Sequence, residues 1–414
     1  MMNKYKVGSL FAGVGGICLG FQNVEIENAC YELIWANEID EFACGTYRTN
    51  FKHSLLEGDI KKILHPEIID MEIKDTKTLY ETADEKEKER FLKELVRLKD
   101  TRDEKYNKYS SLHEKILAEP IDILNGGFPC QAFSIAGEQK GFEDERGNLF
   151  LNIVDLIEQL GEKFYKPRVL FLENVKNLKS HDKGRTYSVI KKKLESTGYT
   201  IFENVLNTMN YSDLPQNRER MYIVGFLNKA DALNFKTFSS EKLIDLKKNK
   251  TSEDRAKDVS HIIDYSLTYS DSPKYYYTRE KYPHYFMTQE EFENSDKGNR
   301  INLTEQVDEM YQFYQCRRGM YVRKNKSDVC PTLTANMGTG GHNVPLICVK
   351  DGIRKLTPIE TFKLQGFPIG NGYELPKKYN DKNYSDAQLY KQAGNAVSVP
   401  VVTMLAKEIL KVIN

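Results

Sequence analysis

The residues with the greatest chemical capacity sit where apolar runs end. "DILNGG" (122–127) leads into Pro129-Cys130, a thiol delivered to the end of a strand-like segment. "PRVLFLENV" (167–175) carries Glu173 and Asn174, and a carboxylate at a buried strand end needs a partner. "QNRER" supplies Gln216, Arg218 and Arg220 ahead of the apolar "MYIVGF". A thiolate can attack an electron-poor carbon, a buried carboxyl can hold a proton at neutral pH, and an arginine can stabilise developing negative charge. A second set of strand ends suits a nucleotide. Gly13, Gly15 and Gly16 let backbone approach a ligand just before a helix N-terminus. Glu38 ends the next run, where a carboxylate can accept from both hydroxyls of a ribose. Asp59 ends the third and can accept from an adenine amino group.

These payloads converge only if the strands lie side by side. Apolar runs at 6–13, 32–38, 54–60, 120–127 and 167–175 alternate with helical spacing, as in "NLFLNIVDLIEQL" (148–160). That rhythm predicts an α/β fold with a doubly wound, mostly parallel sheet, whose ligands bind beyond the carboxyl ends of the strands. "YTIFENVLN" (199–207) and "RMYIVGF" (220–226) are too close for a helical crossover, so they should pair antiparallel and place the start of the last strand on the same rim. Residues 67–117 break the rhythm. They are dense in charge, with Phe91, Leu95, Leu98, Tyr109, Leu112 and Ile116 at helical spacing, and predict an inserted helix or helical hairpin on the surface. From residue 227 tyrosines cluster (265–286) and β-like pieces appear. A smaller, mainly β domain is expected over 227–392, with 1–226 and 393–414 forming the larger domain. The last stretch, 398–413, reads as an amphipathic helix.

Composition limits the partners. Lys+Arg and Asp+Glu are equal at 60 each, so any polyanion must be met by local patches. Residues 176–195 carry seven Lys/Arg against two acids, and 317–326 five against none, as suits phosphate contacts. Seven dispersed cysteines without a CxxC pair argue against a disulfide framework or a zinc site, and no ligand set for another metal is visible. Without an apolar leader or an 18-residue apolar run, the expected location is the cytoplasm, with no membrane partner. The glycine turn lacks GxGxxG spacing because position 18 is Cys, and no GxxxxGK[ST] loop exists, which favours S-adenosylmethionine over NAD or ATP.

The ordered series "SLFAGVGG", "ANEID", "GDI", "GGFPCQAFSIAG", "FLENV", "QNRER", "RKLTPIETFKLQGFP" and "GNAVSVPV" resembles that of the DNA (cytosine-5)-methyltransferases of bacterial restriction-modification systems. It covers the chain except 67–117 and roughly 228–320, the second falling where such enzymes carry a target-recognition domain. The resemblance implies a Rossmann-like S-adenosylmethionine-dependent catalytic domain that releases S-adenosylhomocysteine. Cys130 would be the nucleophile on C6 of a flipped-out cytosine, Glu173 the group at N3 and N4, and Arg218 and Arg220 the cations at O2 and the neighbouring phosphate. The implied cofactor set is Leu10, Phe11, Gly13, Gly15, Gly16, Glu38, Ile39, Asp59, Ile60, Pro129, Leu149, Asn395 and Ala396, with Phe11 stacking on adenine and Asn395 reaching the amino-acid end. At Ile39 the family often has a larger side chain. Gln131, Ser134, Gln139 and Arg146, in a loop expected to close over the extruded base, and Thr332 would contact DNA. The expected partner is double-stranded DNA, met by a nucleoid-associated monomer beside a cognate restriction endonuclease that shares the target but is not bound. An RNA (tRNA) cytosine-C5 methyltransferase on the same scaffold is the alternative.

Overall fold

The computed structural model describes residues 2–128, 149–317, 321–325, 328–338 and 345–414. An eight-stranded sheet forms its centre. Strands β1 (Asn3–Leu10), β3 (Ala29–Glu38), β4 (Ser54–Glu57), β5 (Ile123–Gly127) and β6 (Val169–Val175) are mutually parallel, in the order β4-β3-β1-β5-β6. A short β2 (Glu25–Ile26) pairs antiparallel with the start of β3. On the other side, β9 (Glu219–Phe226) runs antiparallel between β6 and β7 (Thr200–Asn207). The expected antiparallel pair is present, and the start of β9 faces the end of β6, with Val175 opposite Arg220. β5 and β6 are almost continuously buried, as strands covered on both faces must be.

Helices cover both faces. The helix Leu149–Lys163 buries Phe150, Ile153, Leu156, Ile157 and Leu160 in one core cluster with Leu124, Leu170 and Ile223. The terminal helix Val399–Ile413 buries Val402, Leu405, Ala406, Ile409 and Ile413 on the opposite face with Val7, Phe21 and Val224. It lies so close to helix α1 (Gly16–Gln22) that a Cβ on Gly20 would sit 2.5 Å from Val402 Cγ1.

The charged insertion is three helices rather than one or two: α4 (Ile68–Thr82), α5 (Glu85–Asp100) and α6 (Arg102–Ile116), after the short α3 (Ile60–Leu64). Asp84 breaks the first pair by capping α5, its carboxylate accepting from Lys86 N and Glu87 N. The second break is one residue, Thr101, so α5 and α6 read as a single period in sequence. Among the described residues of the predicted β-rich region, strands occupy 313–355 and a short antiparallel pair, Lys378–Tyr379 with Lys382–Asn383. Within 313–355, β10 (Phe313–Arg317), β11 (Tyr321–Lys324), β13 (Pro345–Val349) and β14 (Gly352–Lys355) form an antiparallel sheet ordered β11-β10-β13-β14. Short helices precede it, and two of the clustered tyrosines, Tyr277 and Tyr285, enter its core with Tyr314, Phe286 and Leu346. A two-residue pair joins the two sheets, β12 (Cys330–Pro331) lying parallel to β8 (Gln216–Asn217). No described helix is long and apolar enough to cross a membrane.

Candidate active site

The carboxyl ends of β1, β3, β5 and β6 surround a cavity of about 300 Å³, closed on the far side by β9 and by residues 391–397. Its floor is the turn after β1. Ala12 N donates to Asn37 O (2.9 Å), and Gly15 N to Ala12 O (2.8 Å). Phe11 and Gly13 take left-handed φ values of 53° and 56°. For an aromatic residue that conformation is strained, and here it places Phe11 in the cavity wall. A Cβ on Gly13 would meet nothing within 4 Å, so the turn leaves open space where a side chain would stand. Gly15 caps α1 at φ 83°, and its missing side chain admits Phe51.

Glu38 is buried, and its carboxylate accepts three backbone N–H groups: Gly13 (2.7 Å), Ile39 (2.9 Å) and Asp40 (2.8 Å). These bonds lock the carboxylate in the cavity wall and leave about one of its four acceptor sites for a ligand hydroxyl. Asp40 caps helix α2 (Glu41–Asn50) and pairs with Lys391 Nζ at 2.6 Å. Partial burial works against its charge, but Lys391 and the Ala43 N–H hold its carboxyl below the usual range.

The opposite end of the cavity carries Glu173, Arg218 and Arg220. Glu173 is buried, with Oε1 3.2 Å from Arg220 Nε in an ion pair whose geometry falls short of a hydrogen bond. Burial raises its pKa; Arg220 and Arg218 pull the other way without cancelling that effect. Asn174 reaches across to β5, its Nδ2 donating to Phe128 O at 2.8 Å. Phe128 is the last described residue before Pro129-Cys130, so this bond fixes the backbone from which Cys130 departs.

The structure separates the two arginines. Arg220 donates to Glu219 O (2.8 Å) and keeps its remaining donors in the cavity. Arg218 is fully buried, and its guanidinium donates to the carbonyls of Leu333 (2.9 Å), Gly394 (3.2 Å) and Ala396. Arg218 thus ties three chain segments together at the cavity wall, a geometry that suits a positioning role. Gln216, expected on the rim, is likewise buried, donating to Leu364 O (2.8 Å) and Gln365 Oε1 (3.2 Å).

Phe11, Gly13, Gly16, Glu38, Glu173, Arg218, Arg220, Asn395 and Ala396 line the cavity together. Other expected residues stand apart. Leu10 and Ile60 are buried in the core, Leu149 packs against it, and Ile39 is 67% exposed. Asp59 caps α3 through Lys61 N (3.0 Å), and Thr332 donates to Asn217 O (2.6 Å) beside the cavity's back wall. Pro129, Cys130, Gln131, Ser134, Gln139 and Arg146 lie outside the described residues. Sequence reasoning missed Asp40, Ala43, Lys391 and Gln392 as wall residues. Asp40 stands inside the quoted "ANEID". Lys391 and Gln392 lie on the helix Asp386–Asn395, which straddles the expected boundary at 392/393.

The comparisons with known proteins decide the family. The chain matches C-5 cytosine-specific DNA methylase over residues 5–76 and 74–411. It belongs to that family. It is 39% identical to type II methyltransferase M.Bsp6I of Bacillus sp. (strain RFL6) over 407 residues, covering 98% of each chain. It is 32% identical to type II methyltransferase M.HpaII of Haemophilus parainfluenzae, covering 99% of this chain and 90% of that one. Among solved structures, the S. pombe Dnmt2 methyltransferase aligns over 99% of both chains, with a TM-score of 0.56 and 15% identity, a likeness of fold. This methylase is therefore an enzyme on the mostly parallel, Rossmann-like scaffold expected from its strand rhythm, with a smaller antiparallel sheet attached. Methylases of this family use S-adenosylmethionine in general, and the wall residues fit it. Gly13 leaves room, Phe11 offers a ring, Glu38 a fixed carboxylate, and Asn395 an amide at the far end.

Proposed function

We propose that this methylase transfers a methyl group to C5 of a cytosine within a specific double-stranded DNA sequence. One observation carries the reading: a buried Glu173, set 3.2 Å from Arg220 and with its pKa raised by burial, opens on the same cavity as Glu38 and Phe11. The deprotonated Cys130 adds to C6 of the ring, and N3 takes the proton held by Glu173. The ring C5–C6 bond becomes enamine-like, and C5 gains nucleophilicity that cytosine lacks. S-adenosylmethionine, when bound, supplies the methyl group as a sulfonium and leaves as S-adenosylhomocysteine. C5 then gives up its proton to a base, the thiolate leaves C6, and Glu173 recovers its proton from N3. Arg220 stabilises charge at O2 and orients Glu173, while Arg218 and Asn174 hold the frame. The target base must leave its stack to enter so enclosed a site. The wider role is protection of host DNA from an endonuclease that shares the target, with the methylase acting as a monomer. The 39% identity to a type II methyltransferase favours DNA over the RNA alternative.

Bisulfite sequencing of DNA from cells expressing the chain should show 5-methylcytosine at one sequence. Purified protein should transfer labelled methyl to duplex DNA rather than tRNA, and Cys130→Ala should abolish transfer. Transfer to tRNA alone would replace this reading with the RNA one.

A further inference from the structure

A second polar pocket, about 190 Å³, lies immediately behind the active-site wall. Strand alternation creates the adjacency. Arg218 and Arg220 point into the catalytic cavity, and the intervening Asn217 and Glu219 point the other way into this pocket. Its far wall is the β10–β11 ribbon. Gln315 and Arg323 are directly opposed across the ribbon, so they share a face. The other face, Tyr314, Cys316 and Val322, is turned into the tyrosine-rich core. Asn325 and Thr332 complete the lining. Arg323 is exposed and has no carboxylate partner among the described residues; the nearby Glu309 pairs with Lys324 instead.

We propose that this pocket receives the major-groove edge of a G·C base pair flanking the target cytosine, with Arg323 as the specificity-determining residue that donates to guanine O6 and N7. The inference rests on the reading of the chain as a DNA cytosine methyltransferase. Two features select a base edge over a phosphate. A phosphate offers only acceptors and brings negative charge beside Glu219, whose carboxylate is already paired with Lys176 at 2.8 Å. A G·C edge offers acceptors to the Arg323 fork and an N4–H donor to an acceptor such as Glu219 or Asn217. The pocket holds both kinds of partner, and its position on the opposite face of the strand from Arg220 suits a base pair adjoining the extruded one.

The test is bisulfite sequencing of a randomised-site plasmid library methylated by the wild-type chain, Arg323→Ala and Arg323→Lys. Thermal melting of each protein checks the fold. The wild type should require a guanine at one position of its target. Arg323→Ala should relax that requirement by roughly tenfold to a hundredfold in relative rate while the other positions stay fixed. Arg323→Lys, which keeps the charge but loses the fork, should relax it too. A uniform loss of rate with an unchanged target, rescued by lysine, would mark a phosphate contact and overturn the assignment. So would a target unchanged in both sequence and rate. Absence of 5-methylcytosine with the wild type would instead overturn the underlying functional reading.

Discussion

Glu173 shows how one residue's surroundings set its chemistry. Its carboxyl is enclosed by the end of β6, and burial raises its pKa even though two guanidiniums stand nearby. The sign follows directly: a carboxyl with a raised pKa keeps its proton further toward neutrality, and only the protonated form can supply N3. Single-turnover methyl transfer should therefore slow as pH rises through that raised pKa. Glu173→Gln should lower the rate by about 10²–10⁴-fold and remove this limb of the profile, because an amide does not titrate. Pre-steady-state rates across pH check both points, and a wild-type rate that climbs through this range would refute the proton-donor role. In the proposed reaction Arg220 takes the chemical role and Arg218 a positioning one, because both terminal nitrogens of Arg218 already donate to backbone carbonyls. Both lie in one "RER" context, and only the fold separates their work.

At the scale of elements, strand ends were the most legible part of the sequence. An apolar run that stops at a polar residue marks where a parallel strand leaves the core, and Glu38, Glu173 and the glycine turn all lie where such runs stop. Element counts were less legible where breaks are local. Asp84 and Thr101 divide the insertion into three helices, while the apolar spacing runs on past them. Groups such as Asp40 and Lys391, joined only through tertiary structure, leave no local signal at all. The insertion also proves uneven. Helix α6 contributes Leu112 (9% exposed) and Ile116 to the main core, and Tyr109 packs against Gly58, next to Asp59. Helix α5 leaves Leu92 45% exposed. Leu112→Ala should cost about 2–4 kcal/mol, whereas Leu92→Ala should stay within roughly 0.5 kcal/mol. Denaturant titration of the two variants compares them, and equal losses would show that the whole insertion is one packed unit rather than a buttress carrying an arm.

On the scale of the whole molecule, the two sheets meet behind the catalytic cavity through an unusually close backbone junction. Cys330 and Pro331 pair with Gln216 and Asn217, Gln365 donates to Ala393 O at 2.7 Å, and Arg218 reaches both Leu333 and Ala396. At its centre Gly394 touches the Thr334 backbone so closely that a Cβ would stand 2.2 Å from the carbonyl carbon. This joint carries the cavity wall on one side and the small sheet on the other, so it sets the distance between the cavity and the proposed base-reading pocket. Gly13 offers the contrast, since its Cβ would meet empty cavity at a positive φ. Gly13→Ala should therefore weaken S-adenosylmethionine binding while costing only about 1 kcal/mol of stability. Gly394→Ala must displace Thr334 and should cost about 1–3 kcal/mol, with methyl transfer falling at every site because the joint itself shifts. Melting temperature and calorimetric cofactor affinity, measured on both variants, separate the two effects. If Gly394→Ala kept its melting temperature and its rate, the two sheets would not depend on this close approach for their alignment.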